Sequence, residues 1–209
     1  IDSHIHKEYN DKINAPLIIV STEESTMAKE ALLGVIAPAC KEMRLPYLAC
    51  KGYMSQSEMY TQAQEFIRQE SEGKTCWILH IGDHDPSGIQ MSEDIETRMQ
   101  LFGADVTFMR IALNLDQIRE LNPPPNPAKQ TDSRYRQYVE RFNIDESWEV
   151  DALTPTYTDN LIRMELNGLI NWSDWDKIMD EESDELKVFS GLRRNWQAVK
   201  SYMLQNNLT

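Results

Sequence analysis

The sequence predicts an α/β fold, in which a mainly parallel sheet is flanked by helices and followed by a helical C-terminal extension. Three observations predict it. Short apolar, β-branched segments alternate with segments of helical spacing along the first half of the chain. The segment 75–81 is apolar on both faces, which is typical of a central strand in a parallel sheet. The last quarter of the chain carries helical periodicity, from which we expect a helical end.

Strands and helices alternate in order up to the fourth strand. Strands are predicted at 17–20, 46–50, 75–81 and 106–113. Helices are predicted at 25–44, 55–70, 89–101 and 116–121, and Ser55 or Ser57 is expected to cap the second of them. Pro38 lies inside the first helix, where a proline is expected to kink the chain. This alternation predicts parallel pairing through right-handed crossovers.

The part of the chain after the fourth strand is less regular. A proline cluster at 123–127 breaks secondary structure, and a polar stretch continues to 143. A fifth strand or extended segment is predicted at 148–153, and helices are predicted at 156–169, 172–180 and 184–204. We therefore divide the chain into an N-terminal tail or linker (1–16), an α/β domain (17–155) and a helical extension (156–209).

Composition narrows the class of protein. A chain of 209 residues accommodates one α/β domain with a small appendage. It contains no apolar run of the ~20 residues that a membrane helix needs, and no signal-peptide pattern at its start. Cys40, Cys50 and Cys76 lack metal-binding spacing, so we expect buried, reduced thiols and a cytoplasmic protein. The net charge of -13 is opposite to that of a protein that holds nucleic acid by charge alone.

Two aspartates follow the most apolar strand. Asp83 and Asp85 are two residues apart, which places both carboxylates on one side of an extended chain, at the sheet edge where parallel α/β folds bind ligands. Carboxylates so close repel each other unless a cation or a proton separates them. Oxygen ligands suit Mg²⁺ or Mn²⁺, and Gly82 and Gly88 allow a close approach of backbone and ligand. The alternative is structural, because Asp-Pro-Ser-Gly is also a turn and helix-start sequence.

A second acidic cluster follows the first strand. If the first and third strands are neighbours, Glu23 or Glu24 projects into the same crevice as the aspartates. Taken alone, Glu24 is more simply a carboxylate that faces a helix dipole. Together the clusters predict an acidic triad that holds one or two cations, which stabilise charge on a phosphoryl group and activate water.

A glutamate after the first strand, followed by a later strand that ends in D-x-D-x-x-G, resembles the TOPRIM domain of topoisomerases, primases and nucleases. The resemblance covers 17–169. Lys51-Gly52-Tyr53 and Gly82-Asp83-His84-Asp85-Pro86-Ser87-Gly88 resemble motifs of the topoisomerase VI A subunit and the related meiotic break-forming protein. A set of phage and bacterial TOPRIM proteins shares the second of these motifs together with Thr131-Asp132-Ser133-Arg134 and the Glu-x-Asp-Ala-Leu pattern of Glu149-Val150-Asp151-Ala152-Leu153.

The resemblance implies a Rossmann-like TOPRIM fold and a Mg²⁺ site that also accepts Mn²⁺, with Glu23, Asp83 and Asp85 as ligands and DNA as the substrate. These families often have Lys after the glutamate, whereas this chain has Glu24, so the register of the glutamate stays open. Glu149 and Asp151 match the late acidic motif, which completes a second metal position or orients a basic residue.

Topoisomerase VI A-type proteins carry a winged-helix domain with a nucleophilic tyrosine upstream of TOPRIM. The residues before the first predicted strand are too few for such a domain, and the chain begins with Ile rather than Met. We therefore expect an upstream domain or a protein partner to supply that part, and we do not expect strand passage by this chain alone.

Basic residues near the predicted crevice are candidates for phosphate binding, which would be independent of sequence. They are Lys51, Lys129, Arg134 and Arg136, whereas Arg141 is interpreted as a solvated loop residue. His80 lies within a buried strand and is interpreted as a hydrogen-bonded core residue. His84 points away from the aspartates if the chain stays extended. The tryptophans are expected to fill core, among them Trp148, Trp172, Trp175 and Trp196.

Three functions follow from these residues. The first is Mg²⁺-dependent cleavage of nucleic-acid phosphodiesters or related DNA processing. The second is a non-catalytic TOPRIM module that binds or scaffolds a DNA-repair or phage complex, which the acidic charge and the helical end favour. The third is a haloacid-dehalogenase-type phosphatase, which also uses D-x-D after a strand. In that class the motif follows the first strand and differs from the Asp-Pro-Ser found here.

Overall fold

The computed structural model describes residues 9, 12–13, 16–22 and 26–207, with the side chains of 22 and 26–31 left out. Glu23 and Glu24 lie outside the described residues. The chain divides into two compact units, one formed by 14–169 and one by 1–13 together with 170–209.

The larger unit is built on a four-stranded parallel sheet. Its strands are β1 (Leu17–Thr22), β2 (Tyr47–Lys51), β3 (Cys76–Gly82) and β4 (Val106–Ala112). Their order in the sheet is β2-β1-β3-β4, and every neighbouring pair is parallel. The predicted α/β class and parallel sheet are therefore confirmed, as is the condition that the first and third strands are neighbours.

The most apolar strand is central, as its sequence predicts. Ile78, Leu79 and Ile81 of β3 are completely buried, because β3 has strands on both sides and helices over its faces. One core cluster joins Leu17 and Ile19 of β1 to the side chains of the helices that flank β3. This packing holds the carboxyl ends of β1 and β3 side by side.

Helices connect the strands and continue after them. In the larger unit they are α1 (Thr26–Glu42), α2 (Gln56–Ser71), α3 (Pro86–Leu101), α4 (Leu115–Leu121), α5 (Tyr135–Phe142) and α6 (Pro155–Asn167). Ser55 caps α2, and it exchanges hydrogen bonds with Glu58 in a capping box. Pro38 lies inside α1 without ending it. The helix that follows β3 begins at Pro86, earlier than the predicted position 89.

The segment 123–153 differs from its prediction. The polar stretch contains α5, and 148–153 is not a fifth strand. Two short strands, β5 (Asn126–Pro127) and β6 (Glu146–Ser147), pair with each other, Trp148 forms an isolated bridge with His84, and the chain then turns into a 3₁₀ helix (Val150–Ala152). The physical reason is the N–H of Val150, which is bonded to the side chain of Asp83 instead of to a neighbouring strand.

In the described part of 170–209, the smaller unit forms the helices α7 (Trp172–Arg194) and α8 (Trp196–Gln205). The predicted interruption at 180–184 is wrong, because that acidic run continues α7, and the chain breaks at Asn195 instead. Trp196 is 55% exposed and fills no core, in contrast to the prediction for it. Within the described ranges, no helix is both long and apolar enough to cross a membrane.

The three cysteines carry free thiols, in agreement with the prediction. Cys40 and Cys76 are buried, whereas Cys50 is half-buried rather than buried. Burial raises the pKa of Cys40 to about 12 and that of Cys76 to about 11, so neither thiol is ionised near neutral pH.

Candidate metal centre

The predicted site lies where β1 and β3 end. Ser21 of β1 is the register partner of Gly82 of β3, and the two acidic clusters follow these residues directly. Glu23 is two residues beyond Ser21, and Asp83 is one residue beyond Gly82. The sheet order therefore brings the end of β1 and the end of β3 to the same edge, as the triad hypothesis requires.

Asp83 is a buried carboxylate that accepts a hydrogen bond from a residue far away in the sequence. Its side chain is 4% exposed, and its Oδ1 accepts the backbone N–H of Val150 at 2.8 Å. That N–H is at the start of the 3₁₀ helix, where the backbone donor has no partner within the helix. The late Glu149–Leu153 motif thus meets the aspartate motif through its backbone.

Asp85 lies at the start of α3. Its backbone is extended, with φ −141 and ψ 172, and its side chain caps α3 by accepting the N–H of Gly88 at 2.6 Å. The helix-start interpretation is therefore confirmed for Asp85. A carboxylate has two oxygens with about four lone-pair positions, so the capping bond to Gly88 does not by itself exclude a cation on the same group.

Gly88 is the residue that allows this loop to close. A Cβ at this position would stand 2.2 Å from the backbone oxygen of Asp83 and 3.1 Å from Oδ1 of Asp85. The close approach that was predicted at Gly88 is therefore that of the first turn of α3 to the backbone of Asp83.

His84 lies between the two aspartates in the chain and is directed into the protein. Its backbone N–H donates to the carbonyl of Trp148 at 2.8 Å, and its Nδ1 is 2.8 Å from the hydroxyl of Tyr138. The ring also packs against Phe142, with ring centroids 4.9 Å apart. Burial, with a smaller contribution from Arg110, lowers the pKa of His84 to about 4. The loop is therefore anchored on α5 through a neutral histidine.

Arg110 of β4 lies beneath the loop, and the sequence analysis assigned it no role. Its Nη2 donates to the backbone oxygens of Gly82 at 2.7 Å and Asp83 at 2.5 Å. Its Nη1 donates to the backbone oxygen of Gly88 at 3.1 Å and to the hydroxyl of Ser92 at 2.6 Å. Burial lowers the pKa of Arg110 to about 10, an effect that the charges of Asp83 and Asp85 oppose.

His80 is a hydrogen-bonded core residue, as predicted. Its Nε2 is 2.6 Å from the hydroxyl of Ser21, and its Nδ1 is 3.0 Å from the hydroxyl of Ser92. The ring is completely buried, and the nearest charged group is Arg110, whose Nη1 is 3.5 Å from Nδ1. Burial first, and then Arg110, hold the pKa of His80 well below its usual value.

This histidine predicts a pH dependence of stability. Above about pH 6.5, His80 is neutral in both the folded and the unfolded chain, so it contributes no pH dependence. Below that pH the unfolded chain binds a proton that the folded chain does not, so the free energy of unfolding falls as the pH falls. The limit for one such group is about 1.4 kcal/mol per pH unit.

Urea unfolding between about pH 7 and pH 5 measures this slope. His80→Asn should be less stable near neutrality but should show a flatter profile, with the remaining slope owed in part to His84. Equal slopes in the two proteins would contradict the assignment of the effect to His80.

Arg134 is the predicted basic residue that the fold brings to the helix start. Its Nε donates to Oδ1 of Asp132 at 2.7 Å, which holds the side chain in place. Its Nη1 then reaches the hydroxyl of Tyr53 at 2.5 Å and that of Ser87 at 3.1 Å. Tyr53 lies after β2 and Ser87 lies in the first turn of α3, so three separate segments of the chain converge on one guanidinium. No role was predicted for Tyr53 or Ser87 from the sequence, although both lie inside motifs that carry the family resemblance.

The other basic residues named in the sequence analysis lie at the surface of the protein. Lys51, at the end of β2, and Lys129 are exposed, while Arg136 is 90% exposed and pairs with Glu140 on the same helix. Arg141 lies on α5 rather than in a loop, and it pairs with Glu93. Exposed pairs of this kind add little stability.

The two acids of the late motif differ in their surroundings. Glu149 is half-buried, and its Oε1 accepts from Nδ2 of Asn126 at 3.4 Å, whereas Asp151 is exposed. Glu149 lies between Trp148 and Val150, the two residues whose backbones bond to the aspartate loop. The backbone on both sides of Glu149 is thus held against the loop, while its side chain contacts Asn126.

Within the described residues, no three His, Cys, Asp or Glu side chains are arranged to hold a metal ion. The predicted triad needs Glu23 or Glu24, and both lie outside those residues. Comparison of the chain with known protein families, with curated proteins and with solved structures finds no match.

Proposed function

We propose that this chain is a Mg²⁺-dependent module that cleaves or otherwise processes nucleic-acid phosphodiesters, with Glu23, Asp83 and Asp85 as metal ligands and Mn²⁺ as a substitute for Mg²⁺. One observation carries the proposal. The segment with Asp83 and Asp85 and the segment that leads to Glu23 leave the sheet side by side, at the carboxyl ends of two neighbouring parallel strands. Ligands bind at this edge of open α/β sheets.

The donor set fits a hard cation, because carboxylate oxygens are the ligands that Mg²⁺ and Mn²⁺ prefer. When bound, such a cation offsets charge on a phosphoryl group and lowers the pKa of a bound water. The protein holds the two aspartate side chains in place before a cation binds. Asp83 is fixed by the N–H of Val150 and Asp85 by the N–H of Gly88, so neither carboxylate must be immobilised when a cation arrives.

Arg134 supports a phosphate position beside the proposed metal. Its guanidinium is held by Asp132 next to Ser87, at the start of α3, and the positive end of the helix dipole adds to its charge. Charge-assisted hydrogen bonds from arginine to phosphate are among the stronger polar contacts in proteins. An anionic substrate can thus approach locally although the chain carries a net charge of -13.

The experiment is a DNA-cleavage and DNA-binding assay of the full chain with Mg²⁺, with Mn²⁺ and with a chelator. Cleavage should require a divalent ion. Arg134→Gln should weaken DNA binding about tenfold, the effect of losing one charge-assisted hydrogen bond of ~1.5 kcal/mol. Arg68→Gln is the matched control, because Arg68 is an exposed arginine in the last turn of α2 that pairs with Glu65 and is not a candidate for phosphate binding, and it should behave like the unmodified chain. Cleavage that persists in chelator would refute the proposal.

A second candidate is a non-catalytic TOPRIM-like module that binds a protein partner. The smaller unit favours it, because its two helices leave large apolar side chains exposed, namely Val188, Leu192, Trp196, Tyr202 and Leu204. Surfaces of this kind are typical of protein contacts. A chain that binds Mn²⁺ and DNA but cleaves nothing would favour this second candidate.

A further inference from the structure

We propose that Arg110 is a positioning residue of the metal centre, which holds the 82–88 loop in the conformation that presents Asp83 and Asp85 to a cation. The inference rests on the proposed function, since it concerns the affinity of that site for metal. Arg110 acts through the backbone of the loop and is not itself a ligand.

The loop folds around the guanidinium of Arg110. The backbone oxygens of Gly82, Asp83 and Gly88 all turn inward and accept from its two terminal nitrogens, at 2.7, 2.5 and 3.1 Å. Leu113, after β4, adds a fourth backbone oxygen at 3.3 Å. These contacts fix the first glycine of the motif, its first aspartate and its last glycine with one side chain.

Only arginine can satisfy this set of acceptors. Buried carbonyl groups that lack a donor cost about 1–3 kcal/mol each, so the converging oxygens require several N–H groups from one direction. The two terminal nitrogens of the guanidinium direct four N–H groups in a rigid fork, whereas a lysine ammonium offers three from a single nitrogen. A lysine at position 110 would keep the charge but leave part of the loop unsupported.

A register irregularity of the sheet directs Arg110 to this place. His80 of β3 pairs with Arg110 and Ile81 pairs with Ala112, so Ile111 is an extra residue in β4. Bulges of this kind re-aim side chains near functional sites. The side chain of Arg110 consequently reaches past Ser92 to the loop, where its Nη1 donates to the Ser92 hydroxyl at 2.6 Å.

Two effects of Arg110 on a bound cation have opposite signs, and this makes the inference testable. The positive charge lies close enough to Asp83 and Asp85 to interact with them, so it repels a divalent ion at those carboxylates. Removing the charge alone should therefore tighten metal binding. Removing the support of the loop should weaken metal binding, because groups that orient metal ligands contribute about 10–100-fold to affinity.

The test is Mn²⁺ binding to the full chain by calorimetry and electron paramagnetic resonance, for the unmodified protein and for Arg110→Met and Arg110→Lys. We expect Mn²⁺ affinity to fall at least about tenfold in both variants, with a changed Mn²⁺ spectrum. Arg110→Lys keeps the buried positive charge, so it still tests the proposal if Arg110→Met does not fold. Circular dichroism and backbone amide spectra of the metal-free proteins show that each variant is folded.

Arg98→Met is the matched control. Arg98, in α3, donates to the backbone oxygen of Met54 at 2.9 Å and pairs with Asp94. Its Nε, like that of Arg110, is buried without a partner in the described residues. Arg98→Met should lower stability and leave Mn²⁺ affinity within about twofold.

Two results would overturn the positioning role: unchanged or tighter Mn²⁺ binding by folded Arg110 variants, or equal weakening by Arg98→Met. If the unmodified chain binds no Mn²⁺, the proposed function fails first and the positioning role with it. If the unmodified chain binds Mn²⁺ and the Arg110 variants bind it equally well, only the positioning role fails.

Discussion

Asp83→Asn and Asp85→Asn should each abolish metal-dependent cleavage and weaken Mn²⁺ binding by at least about 100-fold, more than the loss of a group that merely supports a ligand. Asparagine has the shape of aspartate and keeps an oxygen that accepts the N–H of Val150 or Gly88. The substitutions therefore remove negative charge and metal affinity while retaining the hydrogen bonds of the loop.

Asparagine is a sharper choice than alanine at these positions. Asp83→Ala would leave the buried N–H of Val150 without its acceptor, at a cost of about 1–3 kcal/mol, so lost activity could reflect lost stability. Asp145→Asn, at an exposed residue of the same unit, is the control for a change in net charge. Cleavage by folded Asp83→Asn and Asp85→Asn proteins at the unmodified rate would remove the basis of the metal assignment.

The third ligand can be tested in the same assay, although Glu23 and Glu24 lie outside the described residues. Glu23→Gln and Glu24→Gln separate the two registers that the sequence leaves open. Substitution of the glutamate that supplies the ligand should weaken Mn²⁺ binding and abolish cleavage, as the aspartate substitutions do. Substitution of the other glutamate should leave Mn²⁺ binding as it is in the unmodified chain.

Features that depend on local sequence could be predicted well. The β3 strand is apolar on both faces and proved central, and Asp85-Pro86 carries the signals of a helix start that α3 follows. The side-by-side placement of β1 and β3 required one further assumption, namely which strands are neighbours. The sheet order confirms that assumption.

Features that depend on distant pairing could not be predicted. Arg110 is separated from Gly82 by 28 positions and Val150 from Asp83 by 67, and no local pattern marks either contact. The 148–153 segment has the apolar alternation of a strand, but its backbone donor is captured by the Asp83 side chain. Tertiary contacts therefore override the local pattern at the places that shape the candidate site.

The interruption predicted in α7 failed for a different reason. Separate helices were predicted at 172–180 and 184–204, yet no glycine or proline lies between them to end a helix, and α7 continues through this segment. The ion pair between Lys187 and Asp184 spans one turn of the helix, although exposed pairs of this kind contribute little. The helix ends instead at Asn195, whose backbone leaves the helical conformation.

Gly88→Ala is expected to destabilise the fold by about 3 kcal/mol or more and to disrupt the metal centre. The added Cβ would stand 2.2 Å from the backbone oxygen of Asp83, well inside van der Waals contact. That oxygen cannot retreat without cost, because it accepts from Arg110 at 2.5 Å. The clash must therefore move either the first turn of α3 or the aspartate loop.

Gly34→Ala is the matched control for this substitution. Gly34 is exposed within α1 and has nothing within 4 Å of its ideal Cβ position. Alanine in a helix interior is favoured over glycine by about 0.5–1 kcal/mol, so Gly34→Ala should raise the free energy of unfolding slightly. Urea unfolding of the three proteins measures both effects, and Mn²⁺ binding below the unfolding transition measures the effect on the site.

The two measurements together distinguish a tight turn from a metal-site constraint. If Gly88 serves only to start α3, Gly88→Ala should lower stability while the folded fraction binds Mn²⁺ normally. We expect instead that the folded fraction binds Mn²⁺ more weakly, because the displaced oxygen belongs to Asp83, whose side chain is a proposed ligand. Normal stability and normal binding in Gly88→Ala would show that the loop has another conformation available, and both the positioning of Asp83 by its backbone and the role of Arg110 would then be untenable.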